Sequence, residues 1–448
     1  MIRIANGQGF WGDSIDAPKN LISYGDIDYL TLDYLAEVTM SIMQKQKIRN
    51  PQAGYARDFV TLISESLPDI ISNNIKIISN AGGVNSQACS DEIIKLTKGI
   101  SGKGIPVGII EGDDILSRIN KLYDGGVSFS NMENGEPFEL IKDRIYSANA
   151  YISSFSIRDA LSKGAQIVLA GRVSDPGLAL GPMLYEYDWK ETDYNLLASG
   201  TLAGHITECG AQCTGGNYTR WDSVDNISNI GYPIIESYKD GNFFITKPEG
   251  TGGLINRYTI AEQILYELGD PKKYISPDVC VDFTSFNINE HDGKVSIDSV
   301  RGFAPTNTYK VAISYFAGYK ASGQLTISGP DALEKAKLVD KILWDRLDVS
   351  GNKFSKKNTE FLGLSSCHQG LSKSPNIINE IVVRWTVQDS SKAKVNRFGM
   401  EIAPLITSGP PGVTGFSGGR PKATEVVGYW PCLIPKELVP LKVRVING

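Results

Sequence analysis

The feature that most limits the fold is a series of short β-branched runs, each followed by a glycine- or acid-rich turn and then by a helical pattern. Ile2–Ala5 runs into Gly7, Gly9 and Gly12, and Asp28–Leu32 ends at Asp33. Ile75–Ile78 ends at Ser79-Asn80-Ala81-Gly82-Gly83, and Pro106–Ile110 at Glu111-Gly112-Asp113-Asp114. Gln166–Ala170 ends at Gly171-Arg172-Val173-Ser174-Asp175. Between them lie apolar residues at helical spacing: Leu35, Val38, Ile42; Phe59, Leu62, Ile63; Ile115, Ile119, Leu122. Runs this short and apolar fit strands buried on both faces of a parallel sheet. The alternation predicts an α/β fold, with a mostly parallel three-layer sheet in the N-terminal half, residues 1–200. A barrel of eight such units is disfavoured because the strand spacing is uneven and the strands are too few.

Residues 201–448 have a different texture. Val279–Ile288, Lys294–Gly302, Tyr309–Phe316 and Gln324–Ser328 read as neighbouring strands, with His291-Asp292-Gly293 as a hairpin turn. Pro330 opens a helix carried by Leu333, Ala336, Leu338, Ile342 and Leu343. Ile381–Gln388 and Val395–Ile406 read as strands again. The expectation is a second, α+β domain with mixed or antiparallel pairing.

Lys+Arg number 45 and Asp+Glu 50, a net charge of −5. That balance lacks the basic excess of a nucleic-acid or membrane-surface binder, so neither partner is expected. No apolar run approaches the roughly 18 residues of a membrane span. The first residues lack a signal-peptide core, neither end carries a lipidation motif, and the six cysteines are sparse. A cytoplasmic, disulfide-free protein is expected, and a homo-oligomer by the general preference for symmetric assembly.

Strand carboxyl ends are where open α/β sheets bind ligands. Asp33, Glu37, Asn80, Asn85, Asp113, Arg172, Ser174 and Asp175 all fall at such ends. Crowded carboxylates raise one another's pKa, which separates an acid from a base. The densest reactive run is His205-Ile-Thr-Glu208-Cys209-Gly-Ala-Gln212-Cys213. The candidate catalytic set is therefore Asp175, Glu208, His205, Asp33 and Arg172, the last because its planar fork pairs with a carboxylate. His205, Cys209 and Cys213 would share one face of a helix and make zinc an alternative. Gly204, Gly210 and Gly215-Gly216 argue against a rigid helix there, and no metal ligand is assigned.

Gly7-Gln8-Gly9-Phe10-Trp11-Gly12 matches G-x-G-x-x-G after a strand, with Asp33 about 20 residues on, the spacing of a nicotinamide-dinucleotide fingerprint. Bulky Phe10 and Trp11, and Asp13, Asp16 and Pro18 beyond, weaken it. Glycine-rich Lys247–Gly253 and Ser408–Arg420 could cradle an anion on backbone N–H groups. Ligand- or phosphate-binding candidates are thus Gly7, Gly9, Gly12, Gly82, Gly83, Asn85, Asp113, Gly252, Gly253, Gly418, Gly419 and Arg420. Each glycine cluster also reads as a plain turn. Walker, nucleophile-elbow and H-E-x-x-H patterns are absent.

Several strings together resemble the acyclic terpene utilisation (AtuA-like) family. They are Asn6-Gly-Gln-Gly-Phe-Trp-Gly-Asp13, Asp28-Tyr-Leu-Thr-Leu-Asp-Tyr-Leu-Ala-Glu37, Gly54-Tyr-Ala-Arg-Asp58, Asn80-Ala-Gly-Gly-Val-Asn85 and Ala170-Gly-Arg-Val-Ser-Asp175. Gly204-His205, Cys209-Gly210, Gln212, Gly215-Gly216 and Ser408–Arg420 add to them. The resemblance implies a place in breakdown of citronellol- or geraniol-like compounds through branched acyl-CoA thioesters. It carries no catalytic roles to these residues. Longer members bear a C-terminal ferredoxin-like domain, so a separate small ferredoxin-like protein is an expected partner. Three readings follow. The first is an acid/base hydratase, dehydratase or isomerase acting on a carboxylic acid or CoA thioester. The second is an NAD(P)-dependent oxidoreductase. The third is a non-catalytic subunit or binding scaffold.

Overall fold

The computed structural model describes residues 1–364, 366–368, 371, 378–415 and 418–447. Two compact units are formed, Met1–Ser314 with Tyr429–Gly448, and Tyr315–Gly428. The expected division into 1–200 and 201–448 does not coincide with them. Strands from beyond residue 200 hydrogen-bond directly to strands from before it.

The strands of the first unit include β1 (Ile2–Gln8), β2 (Tyr29–Leu32), β3 (Lys76–Ser79), β4 (Val107–Glu111), β5 (Ile145–Ala150), β6 (Ile167–Leu169), β7 (Ile234–Ser237) and β8 (Phe243–Thr246). The centre of the main sheet runs β1-β2-β3-β6-β4, all parallel. Each expected strand of residues 1–200 is there, and almost every residue in them is buried. That is the burial pattern of strands covered on both faces. Among the described residues the sheet reaches ten strands by antiparallel additions. Beyond β1 come β7, β8, Lys294–Asp298 and Asn287–His291, the last two joined at the expected hairpin, where Gly293 sits at φ +70°. Beyond β4 comes Lys442–Ile446. The α/β class holds. The parallel register of β1 on β2 slips between Asn6 and Gln8, and the Asn6 side chain accepts the Gln8 N–H at 2.9 Å. Such irregularities re-aim a strand end, and this one lies at the edge where the candidate residues gather.

The second unit has its own apolar core, including Leu325, Leu343, Val383, Trp385 and Phe398. Tyr319–Ser328 pairs antiparallel with Glu380–Asp389, which also pairs with Lys356–Leu362. Tyr309–Phe316 and Gln324–Ser328 belong to one strand, Thr308–Ser328. Helix Ala332–Val349 forms as expected after Pro330. Val395–Ile406 is not a strand but lies in two helices, Lys392–Ile402 and Leu405–Ser408. The physical reason is visible in the buried positions. Val395, Phe398 and Ile402 recur at helical spacing, and the Ser391 hydroxyl caps the first turn by accepting the Lys394 N–H.

Candidate functional site

The carboxyl ends of β1, β2 and β6, with the segment after helix Tyr194–Thr207, surround a cavity of about 570 Å³. Gly9, Asp33, Arg172, Asp175, Glu208 and Glu267 line it. Four acids and one arginine thus converge from four stretches of sequence.

Asp33 follows β2, and its N–H donates to the Gln8 carbonyl at 3.0 Å, which fixes it to the end of β1. Its Oδ1 accepts from Asn80 Nδ2 at 2.7 Å and from the Leu35 N–H at 2.9 Å. Burial, then the charge of Asp175, push the Asp33 carboxyl up to about 8 against the pull of Arg172 and these donors. Asp33 therefore holds its proton at neutral pH.

Arg172 sits in the turn after β6, which is anchored from below. Asp113 Oδ2 accepts the Arg172 N–H at 2.8 Å and Asn149 Nδ2 at 3.0 Å. A Cβ at Gly171 would fall 2.2 Å from Asp113 Oδ1, so only glycine allows that approach. Burial pushes the Asp113 carboxyl up to about 6. Asp113 is a brace beneath the turn. The Arg172 guanidinium donates from Nη1 to Asp175 Oδ1 at 2.5 Å and lies 4.2 Å from the centre of the Tyr151 ring. Its Nε is buried without a hydrogen-bond partner.

Glu208 follows the end of helix Tyr194–Thr207. Its Oε1 lies 3.1 Å from His205 Nδ1, and its Oε2 is buried without a partner. Burial pushes the Glu208 carboxyl up to about 7, with His205 pulling it back. His205 Nε2 lies 3.2 Å from the Ile264 carbonyl. A carbonyl only accepts, so Nε2 carries a hydrogen, and the Nδ1–Glu208 contact shares one proton. Burial opposes the charged imidazole, but the charge of Glu208 and its hydrogen bond outweigh it, and the net shift is upward. The ring is 1% exposed between Tyr274 and Phe283 and is absent from the cavity lining. His205 is thus a positioning residue behind Glu208.

The shared helix face of His205, Cys209 and Cys213 does not form. The α-helix ends at Thr207, and Gly210 at φ +59° turns the chain into a short 3-10 segment. Burial pushes both thiols up, Cys209 to about 12, and both imidazole nitrogens are engaged. These side chains do not fit zinc. Among the described residues no cluster of His, Cys, Asp or Glu is arranged to hold a metal ion.

The G-x-G-x-x-G turn is likewise filled from within. Gly9 N–H donates to Asp13 Oδ2 at 3.0 Å, and Asp13 Oδ1 accepts from Ser14 N–H at 2.7 Å and Tyr232 hydroxyl at 2.7 Å. A carboxylate of the chain stands where a pyrophosphate would, so the turn does not fit a dinucleotide. Its glycines answer to packing instead. A Cβ at Gly9 would meet the Cys209 backbone at 2.8 Å, and one at Gly7 would meet Pro18 at 2.9 Å. Gly12, at φ +105°, has open space.

The other glycine loops are tied up in the same manner. A Cβ at Gly83 would collide with Met43 Sδ at 2.2 Å and one at Gly82 with Ser86 Oγ at 2.4 Å. Asn85 donates to the Pro51 and Ala53 carbonyls. Gly252 N–H and Gly253 N–H donate to the Asn229 and Asp225 carbonyls. Gly418, Gly419 and Arg420 belong to the second unit, beside a separate cavity. Phe416 and Ser417 of that string, and the side chain of Glu37, lie outside the described residues.

A second lobe of about 360 Å³ shares Asp175 and Glu267 with the first cavity and adds Tyr151, Tyr274, Tyr309 and Lys310. Sequence reasoning missed all of these except Asp175. They sit singly in loops or at strand starts, where no local spacing marks them. Only Glu267 has a structural mark, a left-handed φ of +56°.

A family model described as acyclic terpene utilisation family protein AtuA matches residues 2–445. The chain belongs to the AtuA family. No curated protein and no solved structure matches it. In this AtuA-family chain, Asp28–Glu37, Asn80–Asn85, Ala170–Asp175 and the Gly204–Gln212 region bring Asp33, Asn80, Arg172, Asp175 and Glu208 to one place. Among the described residues no helix is long and apolar enough to cross a membrane.

Proposed function

We propose that this AtuA-family protein is an acid/base enzyme, a hydratase/dehydratase or isomerase, working on a branched carboxylic acid or its CoA thioester in acyclic terpene or related acid catabolism. The observation that carries the reading is one cavity lined by both Asp33 and Glu208, two carboxyls that burial pushes up to about 8 and about 7. Proton transfer is most efficient when the pKa lies near the working pH.

In a dehydration, Glu208 Oε2 takes the proton next to the carbonyl, and that C–H pair forms the double bond. Asp33 gives its proton to the departing hydroxyl, which leaves as water. Both carboxyls reset by proton exchange with solvent, and hydration is the reverse. His205 holds Glu208 through Nδ1 and stabilises whichever charge state Glu208 takes. Arg172 lies beside the acids and offsets negative charge developing on the substrate carbonyl, while Asp175 keeps Asp33 protonated.

Glu208→Gln tests the assignment, because it keeps shape and removes the base. Hydration of branched enoyl-CoA substrates, followed by loss of enoyl thioester absorbance, should fall by about 10²–10⁴-fold with an unchanged circular dichroism spectrum. Full turnover by the variant removes Glu208 from the chemistry.

One observation favours a second reading, a subunit that works with a small ferredoxin-like protein. Met132, Ile275 and Leu433 line the second lobe yet are 52%, 53% and 45% exposed. Co-purification of a small protein from the host, with turnover only in the complex, is its signature.

A further inference from the structure

The second lobe contains a cation that the protein does not neutralise. Lys310 lines it, together with Tyr274, Tyr309, Ile275 and Leu433. Its ammonium stands 4.9 Å from the Tyr151 ring centre and 5.6 Å from that of Tyr429. Among the described residues its Nζ has no ion-pair or hydrogen-bond partner. The main chain there is fixed, since the Lys310 carbonyl accepts the Tyr151 N–H at 2.8 Å. Ring faces offer an ammonium only part of what water gives it. A ligand that fills the lobe must therefore supply the rest.

Charge along the two lobes gives that ligand a direction. Asp175 and Glu267 stand at their junction, with Asp33 and Glu208 in the first lobe. Asp33 is neutral and Arg172 pairs with Asp175, so an anion meets repulsion chiefly from Glu267 at the junction and attraction at Lys310 in the second lobe. The rest of the second lobe is mostly tyrosine, proline and aliphatic surface, interrupted by Ser174, Ser276, Thr306 and Thr308.

We infer that the substrate carries a second anionic group, separated from its reacting end by an apolar stretch, and that Lys310 binds it. The reacting end rests on the acid/base reading above; the Lys310 contact does not. A terminal carboxylate on the acyl chain and a phosphate of coenzyme A share this chemistry.

The test is calorimetric titration of the full chain with two pairs of probes. One pair is an α,ω-dicarboxylate, taken from succinate through sebacate, against the monocarboxylate of equal length. The other is coenzyme A against pantetheine. Wild type should bind the more anionic member of at least one pair about tenfold or more tightly, the value of one charge-assisted contact. Lys310→Met should erase that preference. Lys142→Met, which removes a lysine stacked on Tyr123 outside the lobe, should keep it. Dependence in the diacid pair assigns a carboxylate, and in the coenzyme A pair a phosphate. No preference in wild type for either pair, or an equal preference in Lys310→Met, overturns the inference. The two readings fail separately. A Lys310-dependent preference beside a fully active Glu208→Gln removes the acid/base reading alone. Loss of turnover in Glu208→Gln without any such preference removes the Lys310 contact alone.

Discussion

Replacing Asp33 by Asn should remove the pH dependence that this one side chain imposes on the stability of the first unit. The substitution keeps the shape, and an Asn Oδ1 still accepts from Asn80 Nδ2 and Leu35 N–H. What it removes is the ionisation. In the folded chain the Asp33 carboxyl titrates near about 8, against an ordinary 3.8. Between those values the folded state holds a proton that the unfolded state has released, so stability falls as pH rises. The contribution is fully present below about pH 4 and is lost as pH climbs through about 8. At roughly 1.4 kcal/mol per unit, the four-unit gap amounts to on the order of 5 kcal/mol. Thermal unfolding at pH 5 and pH 8.5 reads this directly. The wild-type midpoint should drop by several degrees more than that of Asp33→Asn, and the variant should be the more stable protein at pH 8.5. An infrared band of a protonated carboxyl at pH 7 should vanish with the substitution. Parallel pH profiles for the two proteins, or an unchanged carboxyl band, would refute the claim that Asp33 is buried in its neutral form.

Two further substitutions separate packing from ligand binding at the first turn. Gly9→Ala should lower stability by about 1–3 kcal/mol and disturb turnover together with it, because the new methyl pushes on the Cys209 backbone beside Glu208; denaturant melts and kinetics on one sample check both. Asp13→Ala frees the Gly9 and Ser14 N–H groups and the Tyr232 hydroxyl, and should cost about 1–3 kcal/mol. Unchanged melting of Asp13→Ala would mean that this carboxylate does not hold the turn.

The parallel strands were legible because each is a compact β-branched run ended by a turn, and nothing else in folding competes for such a segment. The candidate acids were legible for the same reason, since Asp33 directly follows β2 and Asp175 lies in the turn after β6. Their roles were not. Asp33 and Asp175 look alike in the sequence; burial sets Asp33 apart as the protonated acid, while Arg172 pairs with Asp175. His205 looked like a reacting group, and the aromatic wall of Tyr274 and Phe283 that removes it from the cavity comes from distant segments. Asp13 weakened the dinucleotide pattern in the sequence, but its position as an internal stand-in for an anion needed coordinates. The helix at Lys392–Ile402 was read as a strand because β-branched residues flank it, although its buried positions keep the helical period. Lys310 carried no local signal at all.

The antiparallel strand Lys442–Ile446 has a consequence for synthesis. It closes the exposed side of β4, and Arg444 pairs there with Glu111, 333 residues earlier in the chain. An unpaired strand edge is a template for other chains. A ribosome therefore adds the 333 residues from Glu111 to Arg444 before that edge has its partner, and the growing chain needs protection for that interval. Deleting the strand Lys442–Ile446 would leave the acids of the cavity untouched and still yield a protein prone to aggregate.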